Sequence, residues 1–218
     1  MTRPIDLSLY LVTDTALCGD VGVTATVEAA VAAGVTVVQL RDPAATDDEL
    51  VRLGRDIAQV LRGSGVPLIV NDRVHLVGPI GADGAHIGQG DLDPVLARKL
   101  LGPTALLGLS VQTEQHVKQA EQLGSDVIDY LGVGPIWQQV TKADAAPPVG
   151  LYGLREISRA GQWPCVAIGG ITASRARALR GSGIAGIAVV CAICGLPDVP
   201  AAVQGLRQAW KPTPPIGR

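Results

Sequence analysis

The sequence predicts an α/β fold, a TIM (β/α)8 barrel in a single domain. Three observations point there. Short apolar runs, eight in number, alternate with segments of helical spacing along the whole chain. Polar or glycine-rich motifs follow several of those runs: Gln39-Leu40-Arg41, Asn71-Asp72-Arg73, Gly88-Gln89-Gly90-Asp91, Thr141-Lys142, Ile168-Gly169-Gly170-Ile171 and Val189-Val190-Cys191. A buried strand places the polar residue past its C-terminal end at the same opening as its neighbours', which is the mouth of a barrel. Finally, 47% of the chain is hydrophobic but only 3% aromatic, with no Phe, a diet suited to parallel strands packed under helices. At 218 residues one domain suffices. Residues 1–210 form the expected barrel, and 211–218, with Pro212, Pro214, Pro215 and Gly217, an expected disordered tail.

The elements follow in order. Leu9 to Thr13 is a first strand ending at Asp14, and Val23 to Ala33 a helix stopped by Gly34. Val35 to Leu40 is β-branched and nearly all apolar, a strand buried on both faces. Thr46 with Glu49 three residues on makes a capping box for a helix that carries Leu50, Leu53, Ile57, Val60 and Leu61 on one face. The remaining strands are Pro67 to Val70, Gly84 to Ile87, Ala105 to Leu109, Val127 to Gly132, Cys165 to Ile168 and Gly186 to Val190. The helices between and after them are Arg73 to Ile80, Pro94 to Leu101, Thr113 to Leu123, Leu151 to Ala160, Ala173 to Arg180 and Val199 to Trp210. Pro135 to Gly150 is long for a barrel loop and suits a lid on the mouth.

Composition excludes several classes. A net charge of −2 leaves no nucleic-acid footprint. No run is apolar and long enough for a membrane span, and the opening residues Arg3, Pro4 and Asp6 do not read as a signal peptide, so a cytoplasmic protein is expected. Cys191 and Cys194 have C-x-x-C spacing without a second pair, so they are read with Cys18 and Cys165 as small apolar fillers and reduced thiols.

The rim residues suggest phosphate and magnesium chemistry. Asp72 and Asp91, near Asn71 and Gln89, make an oxygen set suited to Mg2+; each also suits a plain structural role, Asp72 capping a helix and Asp91 closing a turn. Arg41 ends a buried strand and needs an anionic partner, either Asp42 or Asp14 within the chain or a bound pyrophosphate. Lys142 is the second cation of this rim. Gly169-Gly170 and Val190-Cys191 follow the seventh and eighth strands, where barrels hold phosphate on backbone N–H groups. His86 lies inside an apolar strand and reads as a satisfied core histidine; His75 and His116 fall on helices, and none has a nucleophile partner.

Tyr10-Leu-Val-Thr-Asp14, Val38-Gln-Leu-Arg41, Val70-Asn-Asp72, Asp83 to Asp91, Gly132-Val-Gly-Pro-Ile136, Thr141-Lys142 and Ala167 to Ile171, in that order, resemble thiamine phosphate synthase from about Leu9 to Leu206. The resemblance implies a TIM barrel joining hydroxymethylpyrimidine diphosphate to thiazole phosphate with release of pyrophosphate. It implies that Gln39, Leu40, Arg41, Asp42, Pro43, Asn71, Ser110 and Lys142 hold the pyrimidine diphosphate. Arg41, Ser110 and Lys142 would carry the catalysis, and Asp72 and Asp91 the magnesium. Gln139, Val140, Thr141, Gly170, Val190 and Cys191 would hold the thiazole phosphate, and a homodimer is implied as well.

The chain departs from the family pattern at three places. Pro43 stands where the family usually has Lys, Gln138-Gln139-Val140 precedes Thr141 in place of Pro-Thr, and Cys191 replaces a Ser. Arg73 is the nearest motif residue able to supply the cation missing at position 43. Two other functions fit the same motifs: a thiazole tautomerase on this fold, or a non-catalytic barrel that binds a phosphate ligand. Both aspartates are present, and Gln112 rather than His follows Ser110-Val111, which favours the synthase.

Overall fold

The computed structural model describes residues 5–124, 126–138 and 147–210. Eight parallel strands pair in chain order and close, β8 returning to β1. They are β1 (Leu9–Val12), β2 (Val37–Leu40), β3 (Leu68–Asn71), β4 (Gly84–Ile87), β5 (Leu106–Val111), β6 (Tyr130–Val133), β7 (Cys165–Ile168) and β8 (Gly186–Val189). Around them run α1 (Thr15–Cys18), α2 (Val23–Ala33), α3 (Asp47–Leu61), α4 (Val77–Ile80), α5 (Pro94–Leu101), α6 (Glu114–Gln122), α7 (Gly150–Ala160), α8 (Ala173–Ala176) and α9 (Val199–Ala209). No single helix among the described residues is long and apolar enough to cross a membrane.

Strand alternation sorts the apolar side chains into two separate cores. One parity, with Leu11, Val38, Val70, Ile87, Leu109, Leu131 and Ile187, packs under the helices. The other, with Tyr10, Val12, Val37, Ile69, Leu106, Tyr130, Val166 and Ala188, fills the barrel. At the N-terminal end of β5 and β6, Arg98 donates to the carbonyls of Val127, Gly102 and Ala105 and to Asp129 Oδ2 at 2.7 Å. The same carboxylate oxygen accepts Leu107 N–H at 2.7 Å. This buried ion pair fixes α5 against the strands it precedes.

Local signals decide the boundaries. Thr46 and Glu49 form the expected capping box at the start of α3. β2 begins two residues later than expected, because Gly34 turns left-handed and Val35 N–H is taken by Ala30 O in the helix's closing turn. β6 likewise starts at Tyr130, since Val127 belongs to a turn on Gly124. The helix expected from Arg73 opens as a 3₁₀ turn over Val74–Leu76, and that expected to Arg180 ends as one over Arg177–Leu179. α1 was not foreseen: Asp14, read as a strand end, accepts Leu17 N–H at 3.0 Å and caps it. Residues 211–218, where a disordered tail was expected, lie outside the described residues.

Two interior glycines leave room for rings. A Cβ at Gly108 would collide with His86 Nδ1 and Tyr130 Cζ, and one at Gly132 would sit 2.8 Å from His86 Cε1. Gly108→Ala should therefore overpack the barrel, at about 1–3 kcal/mol. For a chain of this length that lowers the melting midpoint by roughly 2–12 °C. Calorimetry checks it; an unchanged midpoint would mean the rings are free to shift.

Candidate active site

Inside the barrel, just below its C-terminal mouth, polar side chains join in one chain. Gln39 Nε2 donates to Tyr10 Oη at 2.8 Å, and Tyr10 and Tyr130 hydroxyls pair at 2.9 Å. Tyr130 Oη lies 3.2 Å from His86 Nδ1, and His86 Nε2 lies 2.9 Å from Ser110 Oγ. Burial drives the behaviour of each member. It pushes His86 down to about 4, against an opposing pull from Asp91, and it raises both tyrosines above their ordinary value. His86 is thus neutral at pH 7, with one nitrogen to donate and one to accept. A one-way arrangement from Gln39 through the tyrosines to His86 Nδ1 uses every donor. It leaves His86 Nε2–H on Ser110 and the Ser110 hydroxyl proton for a ligand.

The ends of β2 and β3 enclose a cleft of about 210 Å³ lined by Arg41, Asp42, Pro43, Leu50, Asn71, Asp72 and Arg73. Thr13 Oγ1 accepts Arg41 N–H at 3.0 Å and so holds that residue's backbone. Neither proposed internal partner takes the Arg41 charge. Asp14 caps α1, and Asp42 Oδ1 accepts Ala44 and Ala45 N–H at 3.1 and 3.2 Å. Among the described residues no ion pair involves Arg41.

Two tight turns follow β3. Asn71 O accepts Arg73 N–H at 2.6 Å and Asp72 O accepts Val74 N–H at 2.9 Å. The first centres on Asp72 at φ 58°, the sole non-glycine residue with positive φ among those described; Asp tolerates this region better than most. The 3₁₀ turn after it has no side-chain cap, so Asp72 is not the helix cap it could have been.

Asp72 N–H donates to His86 O at 2.9 Å, which sets the end of β3 against β4. After β4, Asp91 Oδ2 closes a turn on Gly88 N–H at 2.7 Å, and Gln89 Nε2 donates to Ser110 O at 2.7 Å. Asp91 thus has the structural role that its motif allowed, and keeps its other carboxylate oxygen. No three ionisable ligand side chains converge among the described residues. The donors here fit an ion that takes one or two carboxylates and completes its shell with water and phosphate, as Mg2+ does.

A second cavity, about 240 Å³, lies across the mouth at β7 and β8, lined by Gly169, Gly170, Thr172, Arg175, Val190 and Cys191 among others. Gly170 has φ 67°, and a Cβ there would meet Trp137 Cβ at 2.8 Å, so the position needs glycine. Among the described residues the N–H groups of Gly170, Ile171, Cys191 and Ala192 make no backbone hydrogen bond. Arg175 braces the corner: it donates to Gly170 O at 2.8 Å and lies 5.4 Å from the Trp137 ring centroid.

Arg175 carried no strand-end signal and went unnoticed in the sequence; its i+5 spacing from Gly170 is the one hint. The interior chain was missed as well, because Tyr10 and Tyr130 sit in runs that read as plain strand. Cys191 is exposed on this cavity rather than an apolar filler, while Cys18, Cys165 and Cys194 are buried. Gln139, Val140, Thr141 and Lys142 lie outside the described residues. A larger cavity, about 500 Å³, opens among Ile5, Arg62, Pro67, Asp83 and Leu106. Those residues precede strands or close helices, at the end of the barrel away from the rim motifs.

Comparison with known proteins bears on the family and the fold. A family model described as thiamine monophosphate synthase matches residues 9–193. A thiamine-phosphate synthase of Azorhizobium caulinodans is 47% identical over 207 residues, covering 95% of this chain and 96% of the relative. One from a Psychrobacter species is 48% identical over 192 residues, covering 88% and 90%. Among solved structures, a thiamine phosphate pyrophosphorylase from Pyrococcus furiosus superposes with a TM-score of 0.84 at 33% identity, covering 94% of this chain and 95% of that one.

The buried histidine makes stability depend on pH. The unfolded chain takes a proton on His86 near 6.5, the folded chain only near 4. More protons bound in the unfolded state mean that stability rises with pH, so His86 contributes fully above 6.5 and loses its contribution as pH falls toward 4. The loss is on the order of 3 kcal/mol. Urea unfolding between pH 7 and 4 should show a shallower fall for His86→Asn than for the wild type. Parallel profiles would show that His86 is not held neutral.

Proposed function

From the premise that the chain belongs to the thiamine monophosphate synthase family, we propose that it condenses hydroxymethylpyrimidine diphosphate with thiazole phosphate, forming thiamine phosphate and releasing pyrophosphate with Mg2+ bound. One observation carries this. Two recesses open on the same mouth, one at β2/β3 lined by Arg41 and Arg73 and one at β7/β8 lined by Gly170 and Cys191, and the Gln39–Ser110 chain lies in the barrel below them. That arrangement suits two phosphorylated substrates whose reacting ends meet over a polar floor.

The residues divide the work as follows. Arg41 and Lys142 grip the diphosphate, and Asn71 adds a neutral amide beside it. Ser110 and Gln39 present hydrogen-bonding groups to the aminopyrimidine, with Asp42 and Pro43 lining the recess; Leu40, assigned to the substrate by resemblance, is instead fully buried in the core under the helices. Gly170, Val190 and Cys191 hold the thiazole phosphate by backbone N–H groups, and the family resemblance assigns Gln139, Val140 and Thr141 to the same substrate. Asp72 and Asp91 would hold magnesium, which when bound supplies positive charge to the diphosphate oxygens.

The chemistry asks little of acids and bases. The bond between the pyrimidine methylene carbon and the ester oxygen breaks, and its electron pair leaves on pyrophosphate. The electron-rich pyrimidine spreads the positive charge left on the methylene, and the thiazole nitrogen lone pair then forms the new C–N bond. Catalysis is therefore the stabilisation of charge growing on the leaving group, the role proposed for Arg41 and Lys142. A neutral His86 tied into the floor agrees with a reaction that needs no general base.

Pyrophosphate release should require both substrates and magnesium together. The Asp72→Ala, Asp91→Ala double variant should lose at least a hundred-fold in turnover while remaining folded by circular dichroism; full turnover would remove the metal assignment. Gly170→Val should weaken thiazole phosphate binding in a calorimetric titration by more than ten-fold, while Cys191→Ser keeps or improves it. Undiminished affinity in Gly170→Val would place that phosphate elsewhere.

A further inference from the structure

The loop after β2 offers an anion very little. Pro43 has neither a charge nor an N–H, and the N–H groups of Ala44 and Ala45 are both taken by Asp42 Oδ1. Among the described residues lining the cleft, Arg41 is then the one donor of positive charge on that side. A diphosphate carries two adjacent phosphoryl groups, and a single guanidinium spans one of them.

The other side of the cleft supplies what is missing. Arg73 lines the same recess as Arg41 and Pro43. Its NH1 is held by Asp47 Oδ1 at 3.1 Å, and the other oxygen of that carboxylate meets His75 Nε2 at 2.8 Å. Asp47 is the first residue of α3, so this fork ties the turn after β3 to the start of the helix after β2. A guanidinium has five N–H donors, and among the described residues the Arg73 side chain makes one hydrogen bond. The bridge is partly open to water, 26% on Arg73 and 53% on Asp47, so it orients the guanidinium without consuming it.

Resting on the reading above, we infer that Arg73, positioned by Asp47 and His75, is the second cation of the β2/β3 cleft and confers preference for a diphosphate over a monophosphate. Arg41 from β2 and Arg73 from β3 grip the two phosphoryl groups from adjacent strand ends. Asp47 acts as a positioning residue, since it touches Arg73 and not the ligand.

The test is calorimetric titration of inorganic pyrophosphate, and separately inorganic phosphate, in the presence of Mg2+. Arg73→Ala should weaken pyrophosphate about ten- to a hundred-fold, the range of one charge-assisted contact, with little change for phosphate. Pro43→Lys placed in the Arg73→Ala background should restore most of the loss. Asp47→Ala should weaken pyrophosphate several-fold, and Asp47→Glu should recover it, which a general loss of stability would not do. Arg73→Lys, which keeps the charge, should fall between wild type and Arg73→Ala. Undiminished pyrophosphate affinity in a folded Arg73→Ala protein overturns this inference alone. A wild-type protein that ignores pyrophosphate overturns the reading beneath it as well.

Discussion

Five polar side chains in an otherwise apolar barrel impose the constraint on which the rest depends. Gln39, Tyr10, Tyr130, His86 and Ser110 come from five strands, and a buried polar atom left without a partner costs about 1–3 kcal/mol. Each strand must therefore keep its register to within a bond length, because a slip of one residue turns its polar side chain out of the barrel. Gly108 and Gly132 exist in this framework as the absence of side chains that the rings need. With His86 Nε2–H donating to Ser110, the same chain would leave the Ser110 hydroxyl proton free at the mouth, which ties the packing of the interior to the chemistry of the rim.

Above that floor the two recesses would, on the proposed function, attract anions in different ways. The β2/β3 cleft offers guanidinium groups, full charges that would suit a leaving group whose charge grows as the bond breaks. The β7/β8 cavity offers backbone N–H groups around Gly170 and Cys191, partial charges that would suit a phosphate that only anchors its substrate. A strong field where charge develops and a mild one where it does not is what differential binding of a transition state requires.

The barrel was legible in the sequence because parallel strands buried on both faces leave largely apolar, β-branched-rich runs, as at Val35 to Leu40, and because a cap such as Thr46 marks where a helix begins. The rim was legible for a related reason: residues that end apolar strands stand out by polarity, so Arg41, Asn71, Asp72 and Gly170 were found together. The interior chain was not. Tyr10 and Tyr130 are separated by 120 residues and look apolar in their strands, and only closure of the sheet brings their hydroxyls to 2.9 Å. The Asp47–Arg73 fork escaped in the same way, since Asp47 reads as one more acidic residue in a helix's first turn. Arg175 was hidden because it acts on a carbonyl rather than on a motif side chain.

Arg98 and Asp129, at the far end of the barrel, have a consequence for how damage to this protein would present itself in a cell. Their pair is buried and remote from both recesses, and losing one partner strands the other charge, typically at 3–5 kcal/mol. The molecules that still fold would have an intact rim. Lesions there would reduce how much protein accumulates, by chaperone and protease triage, and leave each surviving copy at its ordinary turnover and affinity. Lesions at the mouth would do the reverse, filling the cell with well-folded protein that turns over slowly. Abundance and specific activity therefore report on opposite ends of the same barrel.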